Sequence, residues 1–281
     1  MKNRLRHHPL LLYFAMAFGI SWGGIGFVVA ATGFNLAAPQ PMQTGLFFVA
    51  MLLGPSVSGL ILTALLEGRE GLGALGSHLS CWRVGGRWYA VALLTAPPLL
   101  LAILWLMSAL AAPAFAPHFQ WALLAVGLVA GSFEEIGWTG FATPLLLARH
   151  GLGTAGLQLG LVWALWHALV VFLFTFGEMG NSWIWSFVIV YLATLTPYRI
   201  VMTWLYANTQ SVLLAVLMHA SYTGWLLVLF PATSPALSLV WQSAFAAALW
   251  IVAAMVLCKS AHRLERRTLA QAGLRQEEAT K

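Results

Sequence analysis

The sequence has few charged residues and no aspartate. Charged residues make up 8% of the 281, all eight acidic residues are glutamate, and 60% of the chain is hydrophobic. Soluble domains carry about 25% charged residues. This composition excludes an ordinary soluble domain and indicates an integral membrane protein. The net charge of +6 is no sign of nucleic-acid binding, because in a membrane protein the charge mostly reports which side the loops face.

Cysteine is scarce as well. The chain contains only Cys81 and Cys258, and both fall in or beside segments that the charge pattern below assigns to the cytoplasm, where thiols normally stay reduced. No CxxC pair or zinc-knuckle spacing is present. The sequence therefore predicts neither a disulfide framework nor a cysteine-based zinc site.

Long apolar runs fill most of the chain. Because a helix needs about 20 mainly apolar residues to cross a bilayer, we predict an all-α, polytopic membrane protein with eight transmembrane helices. The first is a retained helix, since it is longer than the apolar part of a signal peptide, which is about 7–15 residues. We expect one membrane domain over 1–261 and a polar cytoplasmic tail over 262–281. The predicted spans are 10–31, 44–66, 89–112, 119–137, 156–176, 183–205, 211–230 and 238–258, and a continuation of the fourth towards Leu147 stays open.

The fourteen lysines and arginines predict the orientation. With eight spans, every one of them falls on the same side, and the loops 32–43, 113–118, 177–182 and 231–237 contain none. Cytoplasmic loops are enriched in lysine and arginine, so we expect both termini in the cytoplasm, in a membrane such as the bacterial inner membrane. The basic residues are Lys2, Arg4, Arg6, Arg69, Arg83, Arg87, Arg149, Arg199, Lys259, Arg263, Arg266, Arg267, Arg275 and Lys281.

Two glutamates and two histidines lie inside the predicted spans. Glu134 and Glu135 are adjacent in the fourth span, His167 lies in the fifth and His219 in the seventh. A carboxylate in the bilayer costs at least about 2.5–3.5 kcal/mol and usually marks a functional site. Counted from the cytoplasmic helix ends at about 1.5 Å per residue, the glutamates lie roughly 20 Å deep, His167 roughly 16 Å and His219 roughly 12 Å. We therefore predict that three helices bring these groups together.

Two chemistries suit this set of residues, and both stay open at this point. Glu134 can act as a general base that takes a proton from water, with the histidines orienting the water or stabilising an oxyanion. Alternatively, Glu134, His167 and His219 can hold a divalent metal such as zinc, which commonly binds two histidines, a glutamate and a water. Either chemistry activates water inside a membrane, which is what cutting a membrane-embedded peptide bond requires.

Three motifs surround these residues: Glu134-Glu135-Ile-Gly-Trp-Thr-Gly-Phe, Trp163-Ala-Leu-Trp-His167, and the stretch from Pro197-Tyr-Arg199 to Leu217-Met-His219. Together they resemble the CAAX protease and bacteriocin-processing (CPBP, or Abi) family of intramembrane proteases. The resemblance covers about 85–230. It implies an eight-helix bundle with a cavity open to the cytosol, Glu134 as the catalytic base and His167 and His219 as the motif histidines, with Trp163 at a position that is usually Phe.

The chain departs from the family pattern at two positions. Thr139 stands where the family has the Arg of Glu-Glu-x-x-x-Arg, and Thr223 stands where it has Asn or Asp. Glu135 and residue 139 are neighbours on a helix, so the usual partner of Glu135 is missing. Either Arg199 replaces it from another helix, or Thr139 offers only a hydrogen bond.

The resemblance predicts an endopeptidase that cuts a membrane-associated peptide or protein, lipidated or not, near the cytoplasmic face. Glu134, Glu135, His167 and His219 are the predicted catalytic residues, and Thr139, Trp163, Arg199 and Thr223 support them. The alternative is a catalytically degenerate family member that binds a partner, for example in bacteriocin immunity. A proton-coupled transporter is disfavoured because the ionisable groups cluster at one depth. The expected partners are the bilayer and the substrate, without nucleic acid.

Overall fold

A computed structural model describes residues 7–33 and 40–279, with side chains up to residue 261. These residues form helices and connecting turns, with no strand among them. The all-α fold class is therefore confirmed.

The helices follow one another with short connections. Two π-helical segments, Trp138–Ala142 and Phe187–Leu192, continue α5 and α9, and short 3₁₀ turns cover Pro113–Phe115, Trp121–Leu123 and Gly180–Ser182. The α-helices are α1 (Pro9–Thr32), α2 (Pro41–Leu79), α3 (Gly86–Leu94), α4 (Pro97–Leu110), α5 (Leu124–Gly137), α6 (Thr143–Arg149), α7 (Leu152–Trp166), α8 (Ala168–Met179), α9 (Trp183–Ser186), α10 (Ala193–Thr209), α11 (Val212–Val228) and α12 (Pro235–Ala279).

Within the described ranges, six continuous helical stretches are long and apolar enough to cross a membrane. The fifth predicted span overlaps the shorter apolar helix Leu152–Trp166, and the seventh contains the shorter apolar helix Val212–Val228. The structure thus confirms a helical membrane bundle, while the count of eight spans stays a prediction. The six long stretches are Pro9–Thr32, Pro41–Leu79, Gly86–Leu110, Trp121–Arg149, Ala168–Thr209 and Pro235–Ala261.

Several helix ends differ from the predicted spans. The fourth helical stretch does not stop at 137 but continues through the π-helical segment to Arg149. The second extends to Leu79, although Gly68 interrupts it with a φ of 69°, a conformation that glycine adopts without steric cost. The last helix runs on to Ala279, so the backbone of 262–279 is helical. At the second and last helices, the difference arises because hydropathy predicts only the apolar part of a helix, and both helices continue into polar sequence.

The helix that carries the glutamate pair lies at the centre of the bundle. α5 packs along α11 on one side and against α2 on the other. At the contact with α2, a Cβ built on Gly59 would lie 2.9 Å from the Cα of Gly137. Only glycine allows the two backbones to approach so closely. This contact holds α5 against α2 at Gly137, two residues after Glu135.

The bundle has two ends that differ in charge. The end that we call the basic end contains the turns near 80–85, 150–151 and 210–211, and Arg83 and Arg149 lie at or beside these turns. The opposite end, which we call the Lys/Arg-free end, contains the connections 111–120, 180–182 and 229–234. Arg199 was counted with the basic end in the sequence analysis, but its side chain is fully buried in the bundle. Among the residues described with side chains, Arg83, Arg87 and Arg149 keep the predicted asymmetry.

Candidate active site

Four helical elements bring the predicted residues together. Glu134 and Glu135 lie near the end of α5, His167 at the junction of α7 and α8, Arg199 in α10 and His219 in α11. All are buried except His167, which is half-buried. The convergence predicted from helix depth is therefore present in the structure.

Glu135 is the most extensively bonded residue of the cluster. Arg199 donates from Nη1 to its Oε2 at 2.8 Å and from Nη2 to its Oε1 at 2.9 Å. Thr139 also donates its hydroxyl to Oε2, and His219 contacts Oε1 through Nδ1 at 2.7 Å. Buried charges are tolerated when they are paired and their remaining hydrogen-bonding capacity is used. The Arg199–Glu135 pair fulfils this condition. Both possible partners of Glu135 therefore contact it: Arg199 pairs with its charge, and Thr139 donates a hydrogen bond.

Glu134 has a different environment. Its Oε2 accepts hydrogen bonds from the indole N–H of Trp163 at 2.9 Å and of Trp138 at 3.3 Å. Among the described residues, no hydrogen bond reaches its Oε1. The carboxylate is thus held by one oxygen, and the other oxygen is available to a water or a substrate.

The two histidines share one feature. Nδ1 of His167 lies 2.9 Å from the backbone carbonyl of Trp163, and a carbonyl can only accept, so Nδ1 carries the proton. Nδ1 of His219 donates in the same way to Glu135, whose carboxylate is paired with Arg199. When either ring is neutral, its Nε2 is an acceptor. Both rings therefore keep an unprotonated nitrogen for proton transfer.

The aromatic residues around the cluster fix its side chains. The guanidinium carbon of Arg199 lies 4.0 Å from the centroid of the Trp163 ring, within the range of a cation–π interaction. The Trp163 ring also contacts His219, with ring centroids 5.2 Å apart. Trp163 thus connects Glu134, Arg199 and His219.

Backbone geometry places α11 against α5. A Cβ built on Gly131 would lie 2.6 Å from the carbonyl oxygen of Val216 and 3.3 Å from Cβ of His219. Since any side chain at 131 would push α11 away, this glycine sets the distance between the two helices. It is one turn from Glu135, and so it determines how closely His219 approaches the glutamate.

The π-helical segments lie beside the site. Trp138–Ala142 directly follows Glu134 and Glu135, and its widened turn is accompanied by a hydrogen bond from the Thr143 hydroxyl to the carbonyl of Trp138. The second segment, Phe187–Leu192, contains Tyr191, whose ring lies 5.0 Å from that of His167. π-helical turns inside α-helices are frequent at functional sites.

A cavity of about 690 Å³ opens beside the cluster. Glu134, His167, His219 and Thr223 line it, whereas Glu135 and Arg199 lie behind them. The rest of its lining is mostly apolar, with residues such as Phe47, Phe174 and Leu226. The cavity has the size and polarity of sites that bind small molecules or peptide side chains.

The same side chains do not fit a metal site in this arrangement. Among the described residues, no three His, Cys, Asp or Glu side chains form a group that could hold a metal ion. The chemistry below is therefore derived from the protein's own groups.

The structure also shows residues that sequence reasoning missed. Trp138 donates to Glu134 from one helical turn away, a spacing that was visible in the sequence but not used. Trp166 and Tyr191 line the cavity beside His167. Tryptophan in a membrane protein is typical of the interface, and only the fold distinguishes these buried tryptophans from exposed ones such as Trp185.

The direction in which the cavity opens shows that two of the predictions, the orientation of the chain and the side on which the cavity opens, are incompatible. Its lining residues away from the cluster, such as Thr44, Glu178 and Thr233, belong to the Lys/Arg-free end. The charge distribution predicts that this end is extracytoplasmic, whereas the family resemblance predicts a cavity open to the cytosol. Both predictions cannot hold for this chain.

The fold and the site define a class: a helical membrane protein with a buried Glu-Arg-His cluster at the floor of a cavity. Comparisons with known proteins make the class specific. The model of a family described as type II CAAX prenyl endopeptidase Rce1-like matches residues 116–225. CAAX prenyl protease 2 of Methanococcus maripaludis is 36% identical over 95 residues, which make up 33% of this chain and 35% of that protein.

The matched segment contains Glu134, Glu135, His167, Arg199 and His219, and it lies inside the range 85–230 given by the motif resemblance. This segment of the chain is similar to the type II CAAX prenyl endopeptidase Rce1-like family. The alignment spans about a third of the curated relative's length.

Proposed function

We propose that this chain is an intramembrane endopeptidase in which Glu134 is the general base. The observation that carries the proposal is the asymmetry of this carboxylate. Its Oε2 is held by Trp163 and Trp138, while its Oε1 accepts no hydrogen bond from the described residues, and the residue lines the cavity. A general base needs this combination of fixed orientation and a free acceptor within reach of water.

The reaction follows from these positions. Glu134 accepts a proton from a water in the cavity as the water oxygen bonds to the carbonyl carbon of the substrate. The protonated Glu134 then gives that proton to the amide nitrogen as the C–N bond breaks. The products are a carboxylic acid and an amine, and Glu134 is again a carboxylate. Such proton transfer by a positioned side chain contributes about 10²–10⁴-fold to a rate.

The histidines complete the site in this proposal. With Nδ1 as a donor, His167 and His219 each offer Nε2 to orient the attacking water. A histidine that is already doubly protonated when the substrate binds donates from Nε2 to the oxygen on which negative charge develops, and it keeps that proton throughout the reaction. Glu135 and Arg199 position His219 from behind and do not touch the substrate.

For the substrate, we propose a membrane-associated peptide or protein. The curated relative is named a prenyl protease, and the apolar lining of the cavity is compatible with a lipid group on the substrate as well as with apolar side chains. We propose a bacterial inner membrane, with both termini in the cytoplasm. A cut near the cytoplasmic face would require the Lys/Arg-free end to be the cytoplasmic one.

The test is cleavage of quenched fluorescent peptides by the purified protein in liposomes. The library contains each peptide with and without a farnesyl group, and every peptide is run with wild type and with Glu134→Ala. We expect cleavage by wild type and its loss in the variant. Glu178→Ala is the matched control, since it removes an exposed carboxylate from the far part of the cavity lining.

A folded wild type that binds peptides without cutting any of them would contradict the proposal. It would mark the degenerate, partner-binding alternative. Unchanged cleavage by Glu134→Ala would contradict the assigned role of this residue. Thermal unfolding of each variant shows whether a lost activity reflects chemistry or folding.

A further inference from the structure

Gln242 is a polar residue buried in the wall of the cavity. It belongs to α12, its exposed fraction is 6%, and it lines the cavity together with Glu134 and His219. Among the described residues, no hydrogen bond reaches its carboxamide. Burying an amide costs free energy unless it is hydrogen-bonded, and buried polar groups of native proteins nearly always have a partner. The carboxamide is thus free to bind a molecule that enters the cavity.

Several other polar side chains of the cavity wall are already paired. The hydroxyls of Ser238 and Thr233 share a hydrogen bond of 2.7 Å, and Thr175 donates its hydroxyl to a backbone carbonyl of its own helix. Thr223 differs from these residues, because among the described residues no hydrogen bond reaches its hydroxyl. Gln242 and Thr223 therefore both offer free polar groups to the cavity.

The position of Gln242 relative to the catalytic cluster follows from a ring contact between α11 and α12. The rings of Tyr222 and Phe245 stack with their centroids 6.2 Å apart, so these two residues lie at a similar level of helices that run in opposite directions. His219 precedes Tyr222 by three residues, and Gln242 precedes Phe245 by three. At about 1.5 Å per residue, His219 and Gln242 therefore lie roughly 9 Å apart along the bundle. Thr223 lies between these two levels.

A peptide unit has the hydrogen-bonding groups that match a carboxamide. The side chain of Gln242 offers N–H donors and a C=O acceptor, and a peptide unit offers one C=O and one N–H. Because an extended chain rises about 3.3 Å per residue, a segment cut beside His219 places the peptide unit about three residues away beside Gln242. A helical segment cannot pair in this way, since its N–H and C=O groups are bonded within the helix.

We propose that Gln242 binds one peptide unit of the substrate, about three residues from the bond that is cut, and so holds the substrate in an extended conformation. This inference rests on the proposed function for the cut itself, but the binding of the peptide is independent of cleavage. The site selects an unfolded segment with a free N–H at this point, which excludes proline there. Gln242 lies outside the residues 116–225 that match the family model.

The test measures peptide binding to the Glu134→Gln protein, which keeps the shape of the site but cannot accept a proton from water. The probe is the tightest-binding member of the quenched peptide library, followed by fluorescence anisotropy. In a series of this peptide, each amide in turn is replaced by an ester, which removes the N–H and weakens the C=O acceptor. Each peptide is titrated with and without the additional change Gln242→Leu. Gln158→Leu is the matched control, because this glutamine is exposed on α7.

We expect Gln242→Leu to weaken binding of the all-amide peptide about 5- to 10-fold and Gln158→Leu to leave it unchanged. One ester peptide should lose a similar factor when Gln242 is present and nothing further with Gln242→Leu, because the same hydrogen bonds are lost in both. An affinity unchanged by Gln242→Leu would overturn the proposal. Ester effects that are the same in both proteins at every position would also overturn it.

Thermal unfolding separates peptide binding from a structural role of Gln242. The Gln242→Leu protein should unfold at or above the temperature of its parent, because an unpaired buried amide is removed. Gln242→Met, which keeps the unbranched shape, replaces it if Gln242→Leu does not fold.

A second arm measures cleavage by the protein that retains Glu134. We expect Gln242→Leu to raise KM and to leave kcat unchanged, and we expect the sensitive ester about three residues from the bond that is cut. Cleavage unaffected by Gln242→Leu would overturn the peptide site and leave the protease function intact. If no peptide is cut while the binding series is as expected, the proposed function fails and the peptide site stands. A folded protein that binds no member of the library overturns both.

Discussion

Arg199 and Glu135 form a two-point ion pair between α10 and α5, with N–O distances of 2.8 and 2.9 Å. Both side chains are fully buried. The CPBP motif places an arginine four residues after the second glutamate, and this chain has Thr139 there. Here the cation comes from Arg199 on another helix, while Thr139 contributes a hydroxyl to the same carboxylate.

Replacing Arg199 by methionine should destabilise the protein strongly. It leaves a buried carboxylate without its cation, a change that typically costs about 3–5 kcal/mol. Thermal unfolding in detergent measures the effect. Arg149→Met, at an exposed helix end, is the control and should cost at most about 1 kcal/mol.

The arginine can also be placed at the motif position, 139, instead of at 199. Adding Thr139→Arg to Arg199→Met returns a guanidinium to the neighbourhood of Glu135, one helical turn away. We expect part of the lost stability to return. A double variant no more stable than Arg199→Met would show that position 139 cannot pair with Glu135 in this bundle.

Replacing Trp163 by phenylalanine should lower the cleavage rate more than it lowers stability. The variant keeps an aromatic ring beside Arg199 and removes the N–H that holds Glu134, a hydrogen bond worth about 0.5–1.5 kcal/mol. Trp166→Phe is the matched control, because Trp166 is equally buried and its indole nitrogen has no hydrogen-bond partner among the described residues. Equal loss of rate in the two variants would assign the effect to lost volume instead of the lost donor.

Gly131→Ala should reduce cleavage by moving α11, and His219 with it, away from Glu135. The added Cβ would lie 2.6 Å from the carbonyl oxygen of Val216, so the helices must separate. Gly19→Ala is the control: a Cβ there meets no atom within 4 Å, and helix stability should rise by about 0.5–1 kcal/mol. If Gly131→Ala has wild-type activity, the close approach of α5 and α11 is not needed for the site.

Chelation should leave cleavage unchanged, because the described His, Cys and Glu side chains form no group that fits a metal. The assay compares the rate before and after dialysis against a chelator. Loss of activity that zinc restores would require a different arrangement of Glu134, His167 and His219.

The sequence predicted the helical membrane bundle because hydropathy and helix length depend on local composition. It also predicted that Glu134, Glu135, His167 and His219 meet, because their depths could be counted along helices of known rise. The depth of a residue does not indicate how its helix is rotated about its own axis, and so does not predict which side chains it contacts. The choice between Arg199 and Thr139 as the partner of Glu135 therefore stayed open until the side chains were placed.

Other features depend on packing between distant segments. The π-helical turn at Trp138–Ala142 and the break at Gly68 change the backbone without changing hydropathy. The direction of the cavity depends on where the helices separate, and the apolar residues that line it resemble those that face lipid. These features could not be predicted from patterns of residue type.

The most direct test of the central claim is the single-turnover cleavage rate of Glu134→Gln beside wild type. Glutamine has the same shape and can still accept from Trp163, but it cannot take a proton from water. The account predicts a rate lower by at least about 10²-fold, with thermal unfolding close to that of wild type. A rate within tenfold of wild type would contradict the assignment of Glu134 as the general base.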